Sequence, residues 1–203
     1  MRLLKRAEWL GDPWARLREA SPLVRSYAGH ELDSVQRGEP PADFKPMPGV
    51  GSGVMEFRLH VGTHFFLKKT QATGKADLDQ GRKLCGVTGI EQIEMKKLTT
   101  KTINGLEFTQ GSGDMFADLG FSPAEARNLH LRSQMMRALK KLIESHRLTQ
   151  TDAAKRLHVS QPRISDLIRG KIHLFSLDTL VNMLVAAGLE VDVRIKAPSR
   201  RVA

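Results

Sequence analysis

The stretch Leu148–Gly170, LTQTDAAKRLHVSQPRISDLIRG, decides the reading of this chain. Thr149 can cap a short helix, and Ala153 and Ala154 within that helix are small enough for a second helix to approach closely, with Leu157 turned inward. Ser160 stands where a cap of the second helix belongs. Pro162 falls in that helix's first turn, where a missing N–H costs little, and Ile164, Leu167 and Ile168 form a stripe to bury. The turn between the helices usually needs a left-handed residue, most often Gly. Here it holds His158, a type enriched at positive φ but costlier than Gly. With Gly170 closing the second helix, the pattern is a helix-turn-helix. Gln161, Arg163 and Asp166 are left on the outer face near a helix N-terminus, the part of a recognition helix that meets base edges in the DNA major groove.

Charge agrees with a polyanionic partner. The chain has 32 Lys and Arg against 22 Asp and Glu, a net charge of +10, and a sequence pI near 10.0, which produces a field that attracts nucleic acid at a distance. No apolar run approaches the roughly 18 residues of a membrane span, and Met1–Arg6 is not followed by the apolar core of a signal peptide, so a cytoplasmic location is expected. Cys85 is the single cysteine and allows neither an internal disulfide nor a cysteine metal cage. His60 and His64 are four apart, but Gly62 and strand-type residues intervene, so no metal site is expected. No Ser-His-Asp order, paired-carboxylate motif or phosphate-binding glycine loop is present. Gly49–Gly53 precedes a strand rather than a helix N-terminus, and no cofactor is expected.

The chain divides into a first domain at 1–85, a linker at 86–114 where Gly, Thr, Lys and Ser collect, and a second domain at 115–203. In the second, Leu131, Met135, Leu139, Leu142 and Ile143 recur at helical spacing. Ser176 caps a helix carrying Leu177, Leu180, Val181, Leu184 and Val185, closed by Gly188. The period then changes. Leu189, Val191, Val193 and Ile195 alternate with charged residues as a strand with one buried face, and a lone strand after a helical bundle needs a partner. The expected partner is the same strand of a second copy, giving a two-fold homodimer.

In the first domain, Asp12 and Pro13 open a short helix. Ser21 and Pro22 open a longer one with Val24, Ala28, Leu32 and Val35 on one face, ended by Gly38. Residues 39–53 read as loop. A strand is expected over 54–60, then after Val61-Gly62-Thr63 a second apolar run, His64–Leu67, followed by Lys68-Lys69-Thr70-Gln71 and a helix at about 75–84.

From Met95 to Ala203 the chain resembles the antitoxins of the host-inhibition type, which are XRE or Cro-like repressors. The residues that carry the likeness are Asp114–Phe121, the helix-turn-helix, and Gly170–Leu180. The resemblance implies a mainly α, lambda-repressor-like helix-turn-helix bundle with a C-terminal dimerisation strand, acting as a dimeric repressor that binds a palindromic operator in its own promoter and neutralises a small toxin. It implies that Gln150 contacts a phosphate while Ser160, Gln161, Arg163 and Asp166 face the groove. With Thr149, Ser165 and Arg169 they make up the expected DNA-binding set.

Glu8–Asp12, Tyr27–Leu32, Lys45–Pro48, Glu56–Arg58 and Lys68–Gln71 make the first domain similar to phage-derived toxins of the RelE-like superfamily, α+β messenger-RNA endonucleases working on the ribosome. The resemblance implies that Arg58, Lys68 and Lys69 clamp the developing phosphate charge. Yet only Val61-Gly62-Thr63 stands where that family pattern has roughly two further strands. A degenerate, truncated RelE-like domain without catalysis is therefore the expectation. Two rivals remain, a self-inhibited ribonuclease and a module that sequesters a separate RelE-like toxin.

Overall fold

The computed structural model of the chain describes residues 7–10, 13–47, 55–59, 100–103 and 106–193. Strand β1 (Glu8–Leu10) leads to helix α1 (Pro13–Glu19) and helix α2 (Pro22–Gln36), then to strands β2 (Phe44–Pro46) and β3 (Met55–Phe57). Strands β4 (Thr100–Ile103) and β5 (Leu106–Gln110) follow. The antiparallel sheet runs β1-β5-β4, with Trp9 opposite Thr109 and Lys101 opposite Phe108, while β2 and β3 pair separately with Phe44 opposite Phe57.

The helical part consists of α3 (Met115–Asp118), α4 (Pro123–Ser145), α5 (Gln150–Arg156), α6 (Gln161–Ile168), a 3₁₀ turn at Ile172–Leu174 and α7 (Leu177–Ala186). The long α4 begins with a reciprocal capping box between Ser122 and Glu125 and has Pro123 in its first turn. Leu129, Met136, Leu139, Leu142 and Ile143 of α4 share one apolar core with Ala153, Ala154, Leu157, Ile164 and Leu167 of the helix-turn-helix and Leu180, Met183 and Leu184 of α7. A second, smaller cluster joins Trp9, Met115 and Leu119, with Trp14, Leu17 and Leu32 packed against it.

Several expectations are corrected. The segment expected as linker contains β4 and β5, whose Ile103 and Leu106 pair across Asn104-Gly105, a dipeptide that favours tight hairpin reversals. Phe44–Pro46, expected as loop, is a strand because β3 supplies its hydrogen-bonding partner. Of the strand expected at 54–60, Met55–Phe57 is strand, and Val54 and His60 lie outside the described residues. Residues 189–193 form no strand in the single chain. Val191 packs against the core, whereas Leu189 and Val193 are exposed, and Ile195 lies outside the described residues.

The buried side of α2 is wider than the expected one, of which Ala28 is buried and Val24 and Leu32 are half-buried. Val35 is exposed, while Tyr27, Ala28, Gly29, His30, Glu31, Asp33 and Ser34 are buried, because α2 lies against α3, α4 and the 3₁₀ turn. Gly29 is needed where Phe116 approaches, since a Cβ would overlap that ring. In α4, Leu131 points to solvent instead of into the bundle.

Candidate nucleic-acid interface

The helix-turn-helix forms as its sequence dictates. The Asp152 amide donates to Thr149 Oγ1 at 3.1 Å, and that hydroxyl donates to Asp152 Oδ2 at 2.6 Å. His158 sits at φ +53 in the turn, and Val159 N–H donates to the Ala154 carbonyl at 3.0 Å. Ser160 is the N-cap of α6 by backbone conformation, but its hydroxyl makes no cap hydrogen bond. Its expected capping role is corrected to a positional one. Gly170 follows α6 at φ +70, in the left-handed region that glycine enters without a steric penalty.

The expected DNA-binding residues separate into two groups. Thr149, Gln150, Ser160, Gln161 and Arg169 are exposed and Ser165 is half-buried. Gln161, Ser165 and Arg169 recur at i, i+4 and i+8, so they follow one side of α6. Gln161 Nε2 donates to Gln150 Oε1, tying the first residue of α6 to the first residue of α5. Arg163 and Asp166 are engaged inside the chain. The Arg163 guanidinium lies 4.8 Å from the centre of the buried Phe175 ring, a cation–π arrangement, and Lys171 Nζ donates to Asp166 Oδ1 at 2.7 Å. Both are half-buried, like Ser165, and in the free chain Arg163 stacks and Asp166 pairs.

Sequence reasoning missed the residues that hold the far end of this helix. Tyr27 of α2 is 1% exposed, and its hydroxyl donates to the Arg169 carbonyl. His30 and Glu31 crowd Gly170, where a Cβ would overlap the Glu31 carboxylate. The signal was available: Tyr27, His30 and Glu31 stand at i, i+3 and i+4, one face of a helix.

Beside them lies a buried polar network between α2 and α4. Ser133 Oγ is 2.8 Å from His30 Nδ1 and donates to Asp33 Oδ2 at 3.0 Å, and Arg137 pairs with the same carboxylate. Arg37 Nη2 reaches Asp33 Oδ1 at 3.1 Å. Burial and the nearby Arg137 charge push the His30 pKa down to about 3, against the pull of Asp33, so the imidazole is neutral. Burial alone would push Asp33 up, but Arg137, Arg37 and Ser133 outweigh it and hold the carboxyl below its ordinary value. Burial raises Glu31, opposed by the Ala42 N–H that it accepts at 2.7 Å.

Ser, His and Asp meet here without the wiring of a nucleophilic triad. The carboxylate bonds the serine instead of the imidazole, and Ser133 is fully buried, beyond reach of a substrate. The cavity beside the network, lined by Glu31, Met136, Lys140 and Gly170 among others, has about 10 Å³, room for about one water.

Of the residues proposed to clamp phosphate, Arg58 is exposed just past β3, and Lys68 and Lys69 lie outside the described residues. His60 and His64 lie outside them too. Among the described residues no group of His, Cys, Asp and Glu could hold a metal ion, and no helix is long and apolar enough to cross a membrane.

Two helices, the first capped by Thr149, a left-handed turn residue between them and an open polar face specify the motif, and comparison with known families agrees. Residues 115–196 match the family model described as a helix-turn-helix domain. This part of the chain is a helix-turn-helix domain. Such a domain implies DNA binding. A search among curated proteins found no match to the chain.

Proposed function

We propose that the chain is a sequence-specific, DNA-binding transcriptional repressor of the antitoxin type, acting as a homodimer on a palindromic operator and autoregulating a toxin-antitoxin locus. The observation that supports this reading best is the polar row along α6, exposed Gln161, half-buried Ser165 and the exposed C-cap Arg169, with Gln150 joined to Gln161 at its N-terminal end. A pair of amides fixed to each other presents its remaining donor and acceptor in a set orientation, which suits an adenine edge and a neighbouring phosphate. Arg169 supplies a cation for the backbone. Arg163 and Asp166 act from the flanks, each through a side chain that must leave its present partner to reach a base. Repression is by occupancy of the operator.

Leu189, Val191, Val193 and Ile195 form the proposed dimer strand. Val185, exposed on α7, and Leu189 and Val193 leave apolar surface uncovered that a second copy would bury. The first segment is read as a degenerate RelE-like domain on the resemblance of its motifs. A RelE-like toxin encoded separately is a further partner of this reading.

The test is binding of the full chain to a labelled duplex taken from the DNA immediately upstream of its gene, against a random duplex of the same length. We expect preference for the upstream duplex by at least about 10³ at physiological salt, with protection of an inverted repeat whose half-sites are about 10 base pairs apart. Gln161→Ala should cost about 1–3 kcal/mol on that duplex and much less on the random one. Equal affinity of the wild type for both duplexes would sink sequence-specific repression.

A further inference from the structure

We infer that Tyr27 is a positioning residue for DNA binding: from α2, its hydroxyl fixes the end of the recognition helix and so places Arg169 against the DNA backbone. This rests on the proposal that α6 enters the major groove.

Arg169 is the C-cap of α6, and carbonyls in the last turn of a helix lack intrahelical partners. The Tyr27 hydroxyl occupies one of them, the Arg169 carbonyl, although 142 residues of sequence separate the two. A buried phenol keeps its hydroxyl bonded, so this contact constrains both ends. The neighbouring Gly170 is itself buried and left-handed, enclosed by His30 and Glu31. Three side chains on one face of α2 therefore hold the peptide from which the Arg169 side chain departs. That side chain is exposed. The backbone end of Arg169 is clamped while its side chain is exposed among the described residues, which is the arrangement a positioned phosphate contact needs. Tyr27 cannot touch DNA, since it is buried behind the helix.

The experiment is a double-mutant cycle in the full chain, with Tyr27→Phe, Arg169→Ala and the pair, measured on the labelled upstream duplex over a range of salt concentrations. Tyr27→Phe should weaken binding about fivefold, the worth of about one hydrogen bond. It should lower the salt slope toward the loss of one phosphate contact, about 0.9, and have no further effect once Arg169 is Ala. A merely structural tyrosine would weaken both backgrounds equally and leave the slope unchanged, and that result overturns the inference. So does wild-type affinity in Tyr27→Phe.

Tyr27 is the chain's single tyrosine, so its ring carbon resonances can be followed without substituting it. They should shift when the duplex is added to the wild type and stay still in Arg169→Ala. Stationary resonances in a DNA-bound wild type, or the same shift in Arg169→Ala, overturn the inference even if Tyr27→Phe does not fold. A wild type that binds neither duplex fails differently, removing the DNA-binding reading and this inference with it.

Discussion

The two faces of α4 are held by opposite means. One face places Met136, Leu139, Leu142 and Ile143 in the apolar core shared with the helix-turn-helix and α7. The other brings Ser133 and Arg137 to His30 and Asp33 of α2. Apolar burial is strong but non-directional, and it tolerates small slips between helices. A buried carboxylate bonded by a serine and two arginines is satisfied in one register only. Replacing both sides by apolar residues costs little, whereas losing one side alone is costly. The difference teaches that the apolar face holds the bundle together, and we take the polar face to fix where α2 sits on it.

The largest test removes one side of the buried pair. Arg137→Met should cost about 3–5 kcal/mol in urea unfolding because it takes the buried cation from the Asp33 carboxylate and leaves it only Ser133 and the half-exposed Arg37, and adding Asp33→Leu should recover most of that loss. A single substitution costing under about 1 kcal/mol, or a double one no better than the single, would erase the contrast between the faces.

Acid should act on the polar face through His30. The His30 pKa falls from 6.5 to about 3 on folding, so the unfolded chain takes up a proton that the folded chain refuses, and stability declines as pH drops from about 6.5 toward 3. Between pH 7 and 5 the wild type should lose about 1–2 kcal/mol, and His30→Gln should flatten that decline. Glu31 works the other way: its raised pKa favours the fold at low pH, a contribution lost as pH rises through its folded value. Asp33, lowered on folding, contributes fully above its unfolded pKa and loses that contribution only in stronger acid. Unfolding at both pH values in wild type and His30→Gln separates the imidazole, and identical pH dependence in the two would assign the effect elsewhere.

The smallest test sharpens the comparison inside the apolar half. Thr149→Ala should cost about 1 kcal/mol because a cap hydrogen bond is lost. Ser160→Ala should stay within about 0.5 kcal/mol, since no such bond exists there. Thermal or urea unfolding of the pair checks the difference, and equal losses would give Ser160 a capping bond after all.

What was legible in the sequence follows the same division. The helix-turn-helix could be read from local signals: caps, the small pair Ala153 and Ala154, His158 in the turn and Gly170 beyond it. Each acts within a few residues of its own position. The role of α2 could not be read so, because Asp33 and Arg137 are 104 residues apart and nothing local couples them. Periodicity found only part of the buried face: Ala28 is buried and Leu32 packs against the smaller cluster, but Val35 is exposed, and no apolar spacing marks Tyr27, His30 and Asp33 as buried. The strands β4 and β5 were overlooked because threonines and glycines resemble linker, although Asn104-Gly105 between Ile103 and Leu106 carried the hairpin signal. In the DNA-binding set, spacing located α6 correctly. It could not foresee that Phe175 and Lys171, both beyond the motif, would engage Arg163 and Asp166.

The distance along the chain between Asp33 and Arg137 also dictates an order of folding. Helices α4, α5 and α6 join through neighbours close in sequence, while docking of α2 closes a loop of about a hundred residues and bears its entropy. During synthesis at about 5–20 residues per second, α2 must wait about 5–20 s after its own translation before Arg137 even exists. For that interval Tyr27 and Ala28 have no bundle to enter, and their apolar surface is open to any chain nearby. Slowing or pausing translation between residues 37 and 137 lengthens that exposure, so the fate of α2 depends on the pace of the ribosome.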